Sequence, residues 1–197
     1  MTEFTGVAGA LAQALSKRGF EKLTPVQEKM TNPELQGQDL LVSAQTGSGK
    51  TVAFGIALAD TMMGDQQTLD KADKPHALVI APTRELAMQL DAVFSDLAKG
   101  TRVKVFALTG GVEQDPQIAQ LQQGVDILIA TPGRMFDLLN QKVLRLERVN
   151  ILVLDEADLM LDLGFIEDIR GVLGHLKMRR QTLFFSATIN EKIKKLA

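Results

Sequence analysis

Ala44-Gln45-Thr46-Gly47-Ser48-Gly49-Lys50-Thr51 brings together in one octapeptide a pliable backbone, a mobile cation and a hydroxyl. Gly47 and Gly49 let the chain curl so that successive N–H groups of Gln45, Thr46 and Ser48 point inward at phosphate oxygens. Lys50 supplies charge for the outer phosphates, and the Thr51 hydroxyl suits Mg²⁺. The common form of such a loop starts with glycine; Ala44 stands there instead, which narrows the loop type. A second candidate lies far downstream, where Asp155 and Glu156 follow four apolar residues. Asp155 would hold Mg²⁺ through water opposite Thr51, and Glu156 would act as general base on the attacking water. Two adjacent carboxylates can instead cap a following helix, with Asp158 in part. Their occurrence together with a phosphate loop favours the catalytic reading.

These groups need strands to deliver them and helices to anchor them. Short apolar runs recur at Leu40-Leu41-Val42, Ala77-Leu78-Val79-Ile80, Val103-Lys104-Val105-Phe106, Ile127-Leu128-Ile129, Ile151-Leu152-Val153-Leu154 and Leu183-Phe184-Phe185. Each has the length and composition of a buried parallel strand. Between them run amphipathic stretches such as residues 85–97, where Leu86, Leu90, Val93 and Leu97 share one helical face. The alternation predicts an α/β fold: a doubly wound, mostly parallel sheet with helices on both faces. Ligands in that architecture bind beyond the carboxyl ends of the strands, where both candidate motifs fall. Residues 64–75, polar and rich in lysine and aspartate, read as a surface loop. The helical pattern at residues 191–197 stops without a capping residue, as if cut.

A chain of 197 residues, 45% apolar and 23% charged, fits a single domain with one sizeable core. No apolar stretch is long enough for a membrane helix. The first residues lack the basic-then-apolar block of a secretory signal, so the cytoplasm is the expected compartment. Absence of cysteine removes disulfides and thiolate ligands. A net charge of −2 gives no overall attraction for nucleic acid, so any such partner must meet local features. His76 and His175 fall in no motif and read as surface or satisfied-core residues.

At this point the chain resembles the DEAD-box family of RNA helicases, named for the residues seen here as Asp155-Glu156-Ala157-Asp158, with the family's motifs in order from Phe4 to Thr188. The resemblance implies a RecA-like domain that binds ATP or ADP with Mg²⁺ and takes RNA as partner. Gly19-Phe20 and Thr24-Pro25-Val26-Gln27 resemble the adenine-reading motif, with the Gln27 amide donating to and accepting from the base and Phe20 stacking near it. Phe4 resembles an additional upstream aromatic, although a hydrophobic staple onto the first helix remains equally open. Pro82-Thr83-Arg84, Gly110-Gly111 and Thr131-Pro132-Gly133-Arg134 resemble three elements that hold the RNA backbone without reading bases. Ser186-Ala187-Thr188 resembles the motif coupling hydrolysis to strand separation, through Asp158. Leu161 to Phe165 matches a segment expected to pack under the acidic loop.

Nothing in the chain resembles the family's arginine-bearing motif, which lies in a second, similar domain. The expectation is therefore a monomeric fragment, residues 1–197, that binds ATP or ADP weakly through Gln27, the phosphate loop and Thr51 but hydrolyses little and does not unwind. Two rivals stay open. One is a translocase of the same superfamily that moves along DNA, against which Gln27 with Thr24-Pro25 argues. The other is a scaffold whose nucleotide site only switches partner binding, against which Lys50, Thr51, Asp155 and Glu156 argue.

Overall fold

A computed structural model describes residues 4–63 and 74–197; most of the stretch read as a surface loop, residues 64–75, lies outside the described residues. Every apolar run forms a strand: β1 (Leu40–Ser43), β2 (Ala77–Ile80), β3 (Val105–Leu108), β4 (Ile127–Ala130), β5 (Ile151–Leu154) and β6 (Gln181–Ser186). They make one sheet in the order β1-β6-β5-β2-β4-β3. All five pairings are parallel, so the sheet of the described residues is wholly rather than mostly parallel.

Side chains alternate across each strand, and the alternation builds two cores. Ala77, Val79, Ile129, Val153 and Phe185 face one side, covered by α1 (Gly9–Lys17), α2 (Pro25–Met30), α3 (Lys50–Met63) and α4 (Arg84–Leu97). Leu78, Ile80, Leu128, Leu152 and Phe184 face the other. That side is covered by α5 (Asp115–Gln122), α6 (Pro132–Asn140), α7 (Ala157–Asp162), α8 (Ile166–Leu173) and α9 (Glu191–Leu196). In the first core Phe54 of α3 lies with ring centroids 5.2 Å from Phe185 and 5.6 Å from Phe94, tying the phosphate-loop helix to both the sheet and α4. Phe4 is 2% exposed in this same core, where it anchors the N-terminal segment by apolar burial.

One strand differs from its expected span. β3 occupies 105–108 rather than 103–106 because Lys104 is hooked outside the ladder. Its N–H donates to Asp126 Oδ2 at 2.7 Å, and its carbonyl accepts from the N–H groups of Asp126 and Ile127. Ladder pairing then starts at Val105 opposite Ile127. At the far end α9 begins at Asn190, whose side chain accepts the Ile193 N–H at 3.0 Å.

Candidate active site and nucleic-acid face

Every candidate segment leaves the carboxyl end of a strand, so strand order fixes its neighbours. The phosphate loop follows β1, residues 186–188 follow β6, and the acidic motif follows β5, on three adjacent strands. Residues 82–84, 131–134 and 109–111 follow β2, β4 and β3, which are adjacent in turn on the other side of β5. Nucleotide-type and RNA-type residues therefore occupy separate halves of one edge, meeting at the β5–β2 boundary.

The phosphate loop turns twice through backbone that favours glycine, with φ +83° at Gly47 and +86° at Gly49. A methyl group at Gly49 would come within 2.4 Å of Gln27 Nε2. Gln27 itself is 1% exposed: its Nε2 donates to the Gly49 carbonyl at 3.0 Å and its Oε1 accepts the Thr24 N–H at 2.9 Å. The amide expected to face a base is thus engaged inside the protein on both of its ends. Phe20 lies half-buried against the first core. Ala44 is buried and Gln45 and Thr46 are exposed along the loop, and the Ser48 hydroxyl is buried without a partner.

Across the cleft the Lys50 ammonium sits 2.9 Å from Asp155 Oδ1 and 3.1 Å from Glu156 Oε1. Burial works to lower Lys50, but the two carboxylates outweigh it and hold the ammonium above its ordinary range. Burial pushes the Asp155 carboxyl up, and Lys50 pulls it only part of the way back. The contact to Asp155 is an ion pair without hydrogen-bond alignment: Oδ1 is buried with no directed donor. Glu156 occupies the left-handed region at φ 55°, ψ 52°, a conformation that carries strain in a residue with a side chain. That turn ends β5 abruptly and opens α7. The cleft, of about 360 Å³, is walled by the loop residues Gly47, Gly49, Lys50 and Thr51, by Asp155 and Glu156, and by Leu86, Gln89, Leu90 and Val93 of α4. A second, small cavity of about 60 Å³ between α1, α3 and α4 is lined almost wholly by apolar groups; it offers nothing to orient a phosphate.

Three further residues close the coupling segment on the acidic motif. Asp158 Oδ2 accepts from both the N–H and the hydroxyl of Thr188, each at 3.1 Å, and the Ser186 hydroxyl donates to the Thr188 carbonyl at 2.6 Å. Burial would raise Asp158, but these bonds and the Leu159 N–H hold it below the ordinary carboxylate range. Beneath the motif Leu161 and Phe165 pack against the second core, while Leu163 is 50% exposed and takes no part in that packing.

On the other half of the edge, the Thr83 hydroxyl caps α4 by accepting the Leu86 N–H, and Pro82 and Pro132 are buried. Gly111, at φ +74°, presents its carbonyl to Arg84 Nη1 at 3.4 Å. Arg134 donates from Nη1 to Gln117 Oε1 at 2.6 Å and from Nη2 to the Val112 carbonyl at 2.9 Å. Gln117 in turn donates to the Thr109 carbonyl. Both arginines thus converge on the loop after β3, bringing Arg84, Gly110, Gly111 and Arg134 to one surface, with Gly133 exposed and Thr131 half-exposed beside it. Gln117 and Gln89 belong to these sites and were missed, since neither lies within a motif. The signal for Gln89 was a polar residue interrupting the apolar face of residues 85–97.

Fold and site define a phosphate-loop nucleotide domain with a second cluster of polar and cationic residues on the same sheet edge. The chain belongs to the DEAD/DEAH box helicase family, whose model matches residues 24–196. It is 42% identical over 191 residues to the DEAD-box ATP-dependent RNA helicase 9 of Oryza sativa subsp. japonica, covering 97% of this chain and 30% of that one. It is 41% identical to the DEAD-box ATP-dependent RNA helicase CshA of Geobacillus kaustophilus, covering all of this chain and 41% of the relative. Among solved structures it resembles the yeast DEAD-box splicing factor Prp28 at 34% identity and TM-score 0.89, over 100% of this chain and 48% of the other. A hypothetical ATP-dependent RNA helicase from Sulfolobus tokodaii aligns at 38% identity and TM-score 0.84, over 95% of this chain and 53% of the other. The chain spans less than half the length of the rice and Geobacillus helicases, 30% and 41%.

Proposed function

We propose that this chain is the nucleotide-binding domain of an ATP-dependent RNA helicase. The observation that carries the reading is the ion-paired cleft: Lys50 bridging Asp155 and Glu156 across the phosphate loop, with Asp158 bonded to Thr188 one turn away. Gly47 and Gly49 shape the loop so that backbone N–H groups face the β-phosphate of ATP or ADP. Lys50 leaves the carboxylates to meet the outer phosphate oxygens. Its departure uncovers Asp155 Oδ1, already without a directed donor, and this buried carboxylate with the Thr51 hydroxyl makes an oxygen set suited to Mg²⁺. Thr51 and Asp155 would hold that ion, which supplies charge neutralisation on the phosphates. Glu156, freed from Lys50, takes a proton from water; the water oxygen bonds to the γ-phosphorus as the bond to the β,γ-bridging oxygen breaks, releasing ADP and phosphate.

RNA is the partner on the other half of the edge, met through Thr83, Arg84, Gly110, Gly111, Thr131, Gly133 and Arg134 by its backbone and hence without sequence preference. The transition state also needs an arginine over the γ-phosphate. We assign it to a second helicase domain of the full-length protein, a reading supported by the share of its relatives that this chain spans. The isolated domain is then a monomer that binds nucleotide and turns over little. Phosphate release by the full-length protein with and without saturating RNA, for wild type and Glu156→Gln, tests the reading. RNA-stimulated turnover abolished in the variant with Mg·ADP affinity retained is expected; stimulated turnover that survives Glu156→Gln, or a wild type indifferent to RNA, refutes it.

A further inference from the structure

Gln89 is the polar member of the α4 face that walls the phosphate cleft, where its neighbours are Leu86, Leu90 and Val93. Helical spacing of i, i+3, i+4 and i+7 places all four on one stripe, and an apolar residue would complete it. Gln89 is exposed, and among the described residues its amide has no hydrogen-bond partner. Gln89 thus lines the same cleft as Lys50 and Glu156, with an amide that no bond within the described residues occupies.

The same helix reaches the other ligand face. α4 springs from β2, the strand next to β5 at the boundary between the two halves of the edge. Its first residue, Arg84, bonds the Gly111 carbonyl on the nucleic-acid side. Gln89 follows five residues later, about 8 Å along the axis and roughly 140° around it at 1.5 Å and 100° per residue. One rigid turn and a half thus carries an RNA-side group and a cleft-side group pointing in nearly opposite directions. α4 packs closely on the phosphate-loop helix: a methyl at Gly55 of α3 would stand 3.1 Å from Phe94 Cε1 of α4.

We infer that Gln89 is a positioning residue that acts through the attacking water. In the transition state its amide carbonyl accepts from that water and its NH₂ donates to an equatorial oxygen of the phosphoryl group in transfer, a pairing that an amide alone among uncharged side chains offers. Glu156 remains the proton acceptor. Seating RNA against Arg84 sets α4, and α4 sets the water, so RNA stimulates turnover partly through this helix and independently of the Asp158–Thr188 contact. The inference rests on the helicase reading above.

The test is steady-state phosphate release by full-length wild type, Gln89→Ala and Gln89→Glu, with ATP and RNA each titrated. In Gln89→Ala, kcat at saturating RNA falls about tenfold or more while KM for ATP and half-saturating RNA stay within about twofold, the pattern of a group acting only in the transition state. Gln89→Glu keeps the shape, loses the donor and sets a carboxylate toward the phosphate, so its kcat falls at least as far. Thermal midpoints of all three proteins coincide, as expected for an exposed side chain. An undiminished kcat in Gln89→Ala overturns the inference, as does a loss that lies wholly in KM or in RNA affinity. A wild type without RNA-stimulated turnover overturns the helicase reading and this inference with it; a stimulated wild type with an unimpaired variant overturns this inference alone.

Discussion

Gln27 Nε2 lies 3.0 Å from the carbonyl of Gly49, which makes this glutamine in the first turn of α2 a brace for the phosphate loop. With Oε1 on the Thr24 N–H, the side chain joins the segment read as base-contacting to the loop proposed to hold the phosphates. Gln27→Ala removes one of the two donors to the Gly49 carbonyl, which keeps the Ala53 N–H, and leaves the Thr24 N–H without its acceptor; it should destabilise the chain by about 1–3 kcal/mol. A brace and a base contact predict different ligand dependence. If Gln27 only read adenine, magnesium pyrophosphate would bind the variant as it binds wild type. The brace predicts that pyrophosphate affinity, read by calorimetry, falls along with that of Mg·ADP.

The Lys50 ammonium stabilises the fold itself through its two carboxylate partners. Held above its ordinary value, it contributes stability that is present throughout the neutral range and lost only above it. Lys50→Ala strands Asp155, 2% exposed, beside Glu156 with no cation. The loss should approach about 2–3 kcal/mol near pH 8, below the 3–5 kcal/mol of a fully buried pair because Glu156 is partly solvated. Burial already raises Asp155, and without Lys50 it rises further. A carboxyl raised in the folded state binds protons preferentially there, so the variant regains stability on acidification. Urea midpoints at pH 8 and pH 5 check this: a deficit equal at both pH values would show that Asp155 stays ionised.

Asp60 on α3 is a titrating group outside the site. Burial lifts its carboxyl from 3.8 to about 6, with the Gln36 amide opposing weakly from 3.4 Å. The folded value exceeds the unfolded one, so stability falls as pH rises from 3.8 through about 6 and stays down beyond. Asp60→Asn keeps an oxygen for Gln36 and removes the charge. It should stabilise the chain by about 1 kcal/mol at pH 8, well under the full linkage value because the group is part-solvated, and by nothing near pH 4. Equal midpoints for variant and wild type at pH 8 would show that the carboxylate is solvated after all.

Much of the fold was legible because parallel strands are buried on both faces and so appear as unbroken apolar runs; all six were visible. The β3 offset was not, since it depends on Asp126 capturing Lys104 across 22 residues, a contact no local pattern carries. Position after a strand located both halves of the sheet edge. Conformation could not be read the same way. Glu156 enters the left-handed region, where sequence preference alone would put glycine or asparagine, because the Ile151–Leu154 strand and α7 on either side dictate the turn. The internal bonds of Gln27 and the partnership of Arg134 with Gln117 were hidden for the same reason: each joins segments distant in sequence through polar groups whose periodicity says nothing of partners.

Arg134 shows how such a hidden contact alters expectation. Two of its nitrogens are committed to Gln117 and the Val112 carbonyl, leaving the remaining N–H groups for phosphate. Arg134→Lys keeps the charge but cannot span two acceptors in a fork. If the residue served RNA only as a cation, lysine would preserve both affinity and the dependence of affinity on salt. Because it also shapes the Gly110-Gly111 loop, Arg134→Lys should weaken RNA binding several-fold, an effect of about 1 kcal/mol, with the salt slope unchanged. Arg134→Ala should lower the slope by roughly one phosphate contact as well, since one fewer counterion is released. Fluorescence anisotropy of a labelled single-stranded RNA across a potassium chloride series on the full-length protein separates the two. A lysine variant that binds as wild type would reduce Arg134 to its charge.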